Sequence, residues 1–111
     1  EDVALVAQQL VSRGLPDRVM VDCSHGNSLK DHRRQPAVVE AVADQVSSGS
    51  GHVLGLMLES HLVEGRQNYV PGVAAVYGQS ITDSCLSIGQ TEPLLEQVAT
   101  AQRQRARSLG R

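Results

Sequence analysis

The sequence contains no Phe and no Trp, and two Tyr are its only aromatic residues. Any core must therefore be built from Val, Leu and Ala, which is workable but thin for 111 residues, and one domain is the most that length supports. Cysteine is equally scarce. Cys23 and Cys85 form no CxxC pair and no disulfide framework, and the first residues lack the charged-then-apolar pattern of an export signal. A cytoplasmic, reducing setting is the expectation. Lys and Arg (10) do not outnumber Asp and Glu (12), and the net charge of −2 points to neither nucleic acid nor an anionic membrane. The apolar run Val53–Leu58 is six residues long, too short to span a bilayer. There is no glycine-rich phosphate loop, and Ser28 and Ser80 lack the GxSxG context of a hydrolase nucleophile.

What is present is an alternation of helical and extended patterns. Val3, Val6, Leu10 and Val11 share one helical face over residues 2–13, with Gly14 and Pro16 as the stop. A β-rich run predicts a strand over 18–23, ending in polar Ser24 and His25 and the turn Gly26-Asn27-Ser28. Pro36 suits the first turn of a second helix, in which Val38, Val42 and Val46 recur every four residues while Glu40 and Asp44 face water. Ser47–Gly51 closes that helix. Val53–Leu58 follows as a strand with neither face polar until Glu59, the pattern of a parallel strand covered on both faces. Leu54, Leu56 and Leu58 are expected to face the helices. Residues 60–90 show only a short extended piece at Val73–Tyr77. Thr91 is the expected cap of a last helix carrying Leu94, Leu95, Val98, Ala101 and Leu109, with Arg103, Arg105 and Arg107 near its negative end.

Helix, strand, helix, strand reads as a βαβ unit with a helix in front, its strands parallel across the helical crossover. Two parallel strands leave both sheet edges open, so the pattern reads as part of a larger parallel sheet or barrel. The first residue is Glu rather than Met, which agrees with a truncated chain.

Three residues can converge at the carboxyl ends of the strands: His25 after the first, Glu59 after the second and Asp83 in the last loop. One imidazole and two carboxylates suit a divalent ion such as Mn²⁺, Fe²⁺, Co²⁺ or Zn²⁺. Each also has a plain structural reading: His25 in a turn, Glu59 in a surface pair, Asp83 capping a turn. If His25 points inward on a regular strand, Asp22 faces the helices, which is costly unless it is hydrogen-bonded or the strand is irregular near Ser24. His61, two residues past Glu59, reads as a competing ligand or as a partner that supports one. His32 and His52 read as surface residues, Cys23 and Cys85 as small buried apolar ones, and Lys30, Arg33 and Arg34 as a basic cluster that could meet a phosphate but is more commonly solvated.

Three segments, in order and at sensible intervals, carry a family resemblance. Val21-Asp-Cys-Ser-His-Gly-Asn-Ser28 with Lys30, Leu58-Glu-Ser-His-Leu-Val-Glu-Gly65 and Tyr77-Gly-Gln-Ser-Ile-Thr-Asp-Ser-Cys85 resemble 3-deoxy-D-arabino-heptulosonate 7-phosphate synthase of the class I, feedback-regulated bacterial type. The resemblance implies an α/β fold, the (β/α)8 TIM barrel, of which residues 1–111 are the incomplete carboxy-terminal part. It implies condensation of phosphoenolpyruvate with erythrose 4-phosphate, the first step of aromatic amino-acid synthesis, by a homo-oligomer. It also implies a divalent metal held by His25, Glu59, Asp83 and a cysteine that lies upstream in the family, in a place that neither Cys23 nor Cys85 takes. His25 and Asp83 are the implied catalytic residues, with Asp83 against the sugar hydroxyls. The arginines and lysines that grip phosphoenolpyruvate also lie upstream in the family, so the 111 residues alone are expected to be inactive. Two alternatives stand beside this: a non-catalytic metal-binding or oligomerisation module derived from the barrel, and a different α/β enzyme acting on a phosphorylated sugar.

Overall fold

Two helices lie side by side against one face of a pair of parallel strands, and the candidate site sits beyond the carboxyl ends of those strands. The computed structural model describes residues 2–110. In chain order it contains α1 (Asp2–Ser12), β1 (Val19–Asp22), a 3₁₀ turn (His32–Arg34), α2 (Gln35–Ser47), β2 (Val53–Met57), four short strands and α3 (Ile88–Ser108). The short strands are β3 (Ser60–His61), β4 (Val63–Arg66), β5 (Gln79–Ser80) and β6 (Leu86–Ser87).

The helices begin and end where local chemistry requires. In α2, Pro36 occupies the first turn, where its missing N–H costs nothing. The buried stripe is Val39, Val42, Ala43 and Val46, with Val38 of the expected four-residue series half-buried, while Glu40 and Asp44 are exposed. Gly49, at φ 102°, takes the left-handed position just past the end. α3 begins four residues earlier than the sequence suggested. Ser87, not Thr91, is its cap, in a reciprocal capping box with Gln90. Thr91 is instead buried in the first turns, its hydroxyl 2.9 Å from the Ser87 carbonyl and 2.7 Å from Ser60 Oγ. Arg105 and Arg107 occupy the last turn, as the helix dipole favours.

β1 and β2 pair in parallel, Val21 opposite Leu56 and Asp22 opposite Met57. The register slips by one residue between Val19–Val53 and Met20–Gly55, leaving Leu54 without a partner. That irregularity corrects the expected parity. Val53, Leu56 and Leu58 pack toward the helices, whereas Leu54 is 67% exposed. The core is one layer thick, with Cys23, Val39, Leu86 and Leu94 at one end and Val42, Ala43, Val46 and Ala101 at the other. The opposite face of the strand pair is sparsely covered. α1 lies against β1 but buries only Ala7, so the predicted face of Val3, Val6, Leu10 and Val11 is not a core face in this chain.

The segment between β2 and α3 differs most from expectation. Residues 73–77 form no strand, and four strands of two to four residues appear elsewhere. β3 pairs with β6 and β4 with β5, both in parallel, and Gly65 bridges to Cys85. Side-chain amides complete what these short ladders leave open. Gln67 donates to the carbonyls of Val76 and Gln79 and accepts from the Val76 N–H, and Gln79 donates to the Glu64 carbonyl. Gly78, at φ 80°, is required here, because a Cβ would lie 2.8 Å from Leu62 Cβ. Among the described residues no helix is long and apolar enough to cross a membrane.

Candidate metal centre

β1 ends at Asp22, and the chain then turns sharply. His25, Leu29 and Lys30 all have positive φ (41°, 55° and 60°), a concentration of unfavourable backbone that bulky side chains adopt only when the surroundings enforce it. The enforcement is local. Asn27 Nδ2 donates to the Asp22 carbonyl at 2.6 Å, the Lys30 N–H to the His25 carbonyl at 2.7 Å, and the buried Ser28 hydroxyl to the same carbonyl at 3.4 Å. The turn swings the His25 ring back over the end of β1. It also resolves the parity conflict, since the strand is irregular at this point and Asp22 is fully partnered. Asp22 Oδ1 accepts from the Ser24 N–H (2.9 Å) and hydroxyl (2.5 Å), and Oδ2 lies 2.8 Å from His25 Nδ1.

Two carboxylates reach the other ring nitrogen. Glu59 Oε1 is 2.8 Å and Asp83 Oδ2 2.9 Å from His25 Nε2. One ligand atom from each of the three residues lies within 4.8 Å of the others, and this is the candidate metal-ligand group among the described residues. Glu59 is held where β2 passes into β3. The fully buried side chain of Gln35 accepts from its N–H at 3.0 Å and donates to its carbonyl at 3.3 Å, and the Leu86 N–H donates to that carbonyl at 3.0 Å. Asp83 is delivered by the loop between β5 and β6, where Ser84 meets His32 Nδ1 at 2.5 Å.

The electrostatics match this geometry. The contact with Asp22, then that with Asp83, raises the His25 imidazolium above its usual range. Asp22 lies below the ordinary carboxylate range, chiefly because the Ser24 hydroxyl donates to it. Two anionic oxygens against one ring nitrogen require positive charge there, either a proton on Nε2 or a cation that all three share. The donor set also fits a cation. The imidazole has its remote nitrogen held by a carboxylate, as metal-bound histidines do, and the carboxylates are hard donors suited to Mn²⁺, Fe²⁺, Co²⁺ or Zn²⁺.

All three candidate ligands thus come together. His61 does not join them; it is exposed, and its Nδ1 accepts from the Leu62 N–H. Cys23 and Cys85 are free and buried in the core, and burial pushes the Cys23 thiol up to about 11 and raises that of Cys85. His32, expected at the surface, is half-buried. It packs against Ser84, and its Nε2 is buried without a hydrogen-bond partner. Arg33 of the basic cluster is paired with Asp31 at 2.9 Å. Sequence reasoning missed the supporting roles of Gln35 and His32. No local spacing marks either one, since their partners Glu59 and Ser84 lie 24 and 52 residues away along the chain.

Comparison with known proteins places this chain in a family. The sequence profile of the DAHP synthetase I family matches residues 1–96. The tyrosine-inhibited phospho-2-dehydro-3-deoxyheptonate aldolase of Schizosaccharomyces pombe is 48% identical over 109 residues, covering 95% of this chain and 29% of that protein. The phospho-2-dehydro-3-deoxyheptonate aldolase of Haemophilus influenzae is 46% identical over 101 residues, 91% of this chain and 28% of that protein. The solved structure of the Francisella tularensis SCHU S4 aldolase superposes with a TM-score of 0.87 at 38% identity, across 93% of this chain and 30% of that one. The chain therefore spans less than a third of the length of these relatives, and it belongs to the DAHP synthetase I family.

Proposed function

We propose that this chain is the carboxy-terminal part of a (β/α)8-barrel 3-deoxy-D-arabino-heptulosonate 7-phosphate synthase, and that the whole barrel joins phosphoenolpyruvate to erythrose 4-phosphate with release of phosphate. The observation that carries this reading is the convergence of His25, Glu59 and Asp83 beyond the carboxyl ends of two parallel strands, the end at which such barrels keep their sites. The family membership and the open edges of the β1–β2 pair support the larger barrel. The buried free thiols support a reducing, cytoplasmic setting. Exposed apolar residues such as Val70, Val73, Val76 and Tyr77 support a surface covered by further barrel or by a second copy in a homo-oligomer.

His25, Glu59 and Asp83 would hold a divalent cation here, which would supply Lewis-acid polarisation of the erythrose 4-phosphate aldehyde oxygen. The chain's own residues prepare for that. His25 presents Nε2, Glu59 is the most enclosed of the three at 21% side-chain exposure, and Asp83 is the most open at 48%. That openness lets Asp83 also accept from sugar hydroxyls. C3 of phosphoenolpyruvate attacks the aldehyde carbon and the aldehyde oxygen takes up a proton. Water then adds at the electron-poor C2, and the resulting hemiketal phosphate expels inorganic phosphate to leave the ketose 7-phosphate.

The test is a chimera in which the upstream portion of the Haemophilus influenzae relative is joined to these residues. The chimera is expected to form product, and His25→Ala, Glu59→Gln and Asp83→Asn are each expected to abolish turnover. A folded chimera that forms no product would overturn the proposal, as would one whose turnover survives all three substitutions.

A further inference from the structure

An imidazole that ligates a cation is neutral, with one N–H proton to place on two nitrogens, and here three carboxylates face those nitrogens. Glu59 and Asp83 both face Nε2, at 2.8 and 2.9 Å, and together they pull the proton onto that nitrogen. A proton on Nε2 removes the lone pair a cation needs. Asp22 is the counterweight on the other side. Its Oδ2 lies 2.8 Å from Nδ1, and Ser24 Oγ, whose own hydrogen is directed at Asp22 Oδ1, is a second acceptor 3.0 Å from Nδ1. Both groups facing Nδ1 accept, so that nitrogen is built to keep its hydrogen.

From this arrangement we infer that Asp22 is a positioning residue for the metal centre: it pins the His25 proton on Nδ1 and so keeps Nε2 free to ligate. The inference rests on the metal-centre reading above. Asp22 is well suited to the task, because its second oxygen is anchored by the Ser24 backbone N–H, a donor that cannot reverse. The contact spans only three residues and is set by the left-handed turn at His25. The orientation therefore belongs to this segment and does not depend on distant packing.

Asp22→Asn is the informative substitution. The Ser24 N–H keeps the amide oxygen on its own side, which turns the amide NH₂ toward His25 Nδ1. A donor then meets Nδ1, the proton moves to Nε2, and a cation must displace it. In the whole polypeptide carrying this segment, Mn²⁺ affinity followed by electron paramagnetic resonance is expected to fall roughly 10- to 100-fold, the usual consequence of losing such a partner. In the diamagnetic Zn²⁺-loaded wild type, ¹⁵N spectra are expected to show a slowly exchanging proton on His25 Nδ1 and no proton on Nε2.

The outcomes separate the two claims. Unchanged Mn²⁺ affinity in Asp22→Asn, with His25→Ala and Glu59→Gln both strongly weakened, would overturn the positioning role and leave the metal centre standing. Unchanged affinity in all three would overturn the metal centre itself. If Asp22→Asn does not fold, the wild-type spectrum decides: a Zn²⁺ ion on Nδ1, with the proton on Nε2, would contradict the inference.

Discussion

Two loops each bring a ligand to the same point, and they are built in opposite ways. The loop after β1 fixes His25 by contacts no more than five residues apart: Asp22 with Ser24 and His25, Asn27 with the Asp22 carbonyl, and Lys30 with the His25 carbonyl. Asp83 is fixed from a distance. Ser84 meets His32, Gly65 exchanges backbone bonds with Cys85, and Leu86 donates to Glu59. Local closure costs little loop entropy, whereas the Asp83 segment must close long loops before its contacts form. The His25 turn is therefore expected to survive perturbations that release Asp83.

The strongest way to break the comparison is at Leu86, which is 1% exposed and packs with Cys23, Val39 and Leu94. Leu86→Ala is expected to cost about 2–5 kcal/mol in chemical denaturation. Hydrogen exchange is expected to rise first across residues 79–87, with the amides of Ser24 and Lys30 changing least. Gly78→Ala comes next. The left-handed backbone and the approach of Leu62 together make about 2–3 kcal/mol the expected loss, read as a lower melting temperature and freer exchange in β4 and β5. Gln35→Ala leaves the Glu59 N–H without its acceptor, a cost of about 1–3 kcal/mol, and is expected to weaken Mn²⁺ binding without disturbing the His25 turn.

The two regions also explain how much could be read in advance. α2, β2 and the pairing of β1 with β2 were legible because their valines and leucines repeat at helical and strand spacing over runs long enough to show a period. The three ligands were legible as chemistry, and the family resemblance joined them. β3 to β6 were not legible, because strands of two to four residues carry no period and are held by Gln67, Gln79 and partners far along the chain. The start of α3 was misplaced because Thr91 looks like a cap, while the true cap was marked by Ser87 with Gln90 three residues on. The unpartnered residue in β2 leaves no mark in the sequence, so the exposure of Leu54 could not be foreseen.

Smaller effects sharpen the picture. With the Cys23 thiol at about 11 and that of Cys85 raised, neither is expected to react with iodoacetamide at neutral pH until the chain is denatured. Rapid alkylation of the native chain would show that the core around Leu86 opens freely. The smallest effect lies at Asp31, which caps the 3₁₀ turn and is held at about 2 by the Arg33 side chain. Its folded value is depressed, so its contribution is present above the unfolded carboxylate value of about 3.9 and is lost as pH falls through about 2. Arg33→Ala is expected to return Asp31 toward the ordinary range in an NMR titration, with little change in stability because the pair is solvent-exposed.

The most direct test of the metal centre is anomalous X-ray scattering from crystals of the protein soaked with Mn²⁺. The expected result is one strong peak bonded to His25 Nε2, Glu59 and Asp83, with Asp22 still on Nδ1. A peak at His61 or elsewhere, with His25 Nε2 still against its two carboxylates, would contradict the shared role assigned to these three residues.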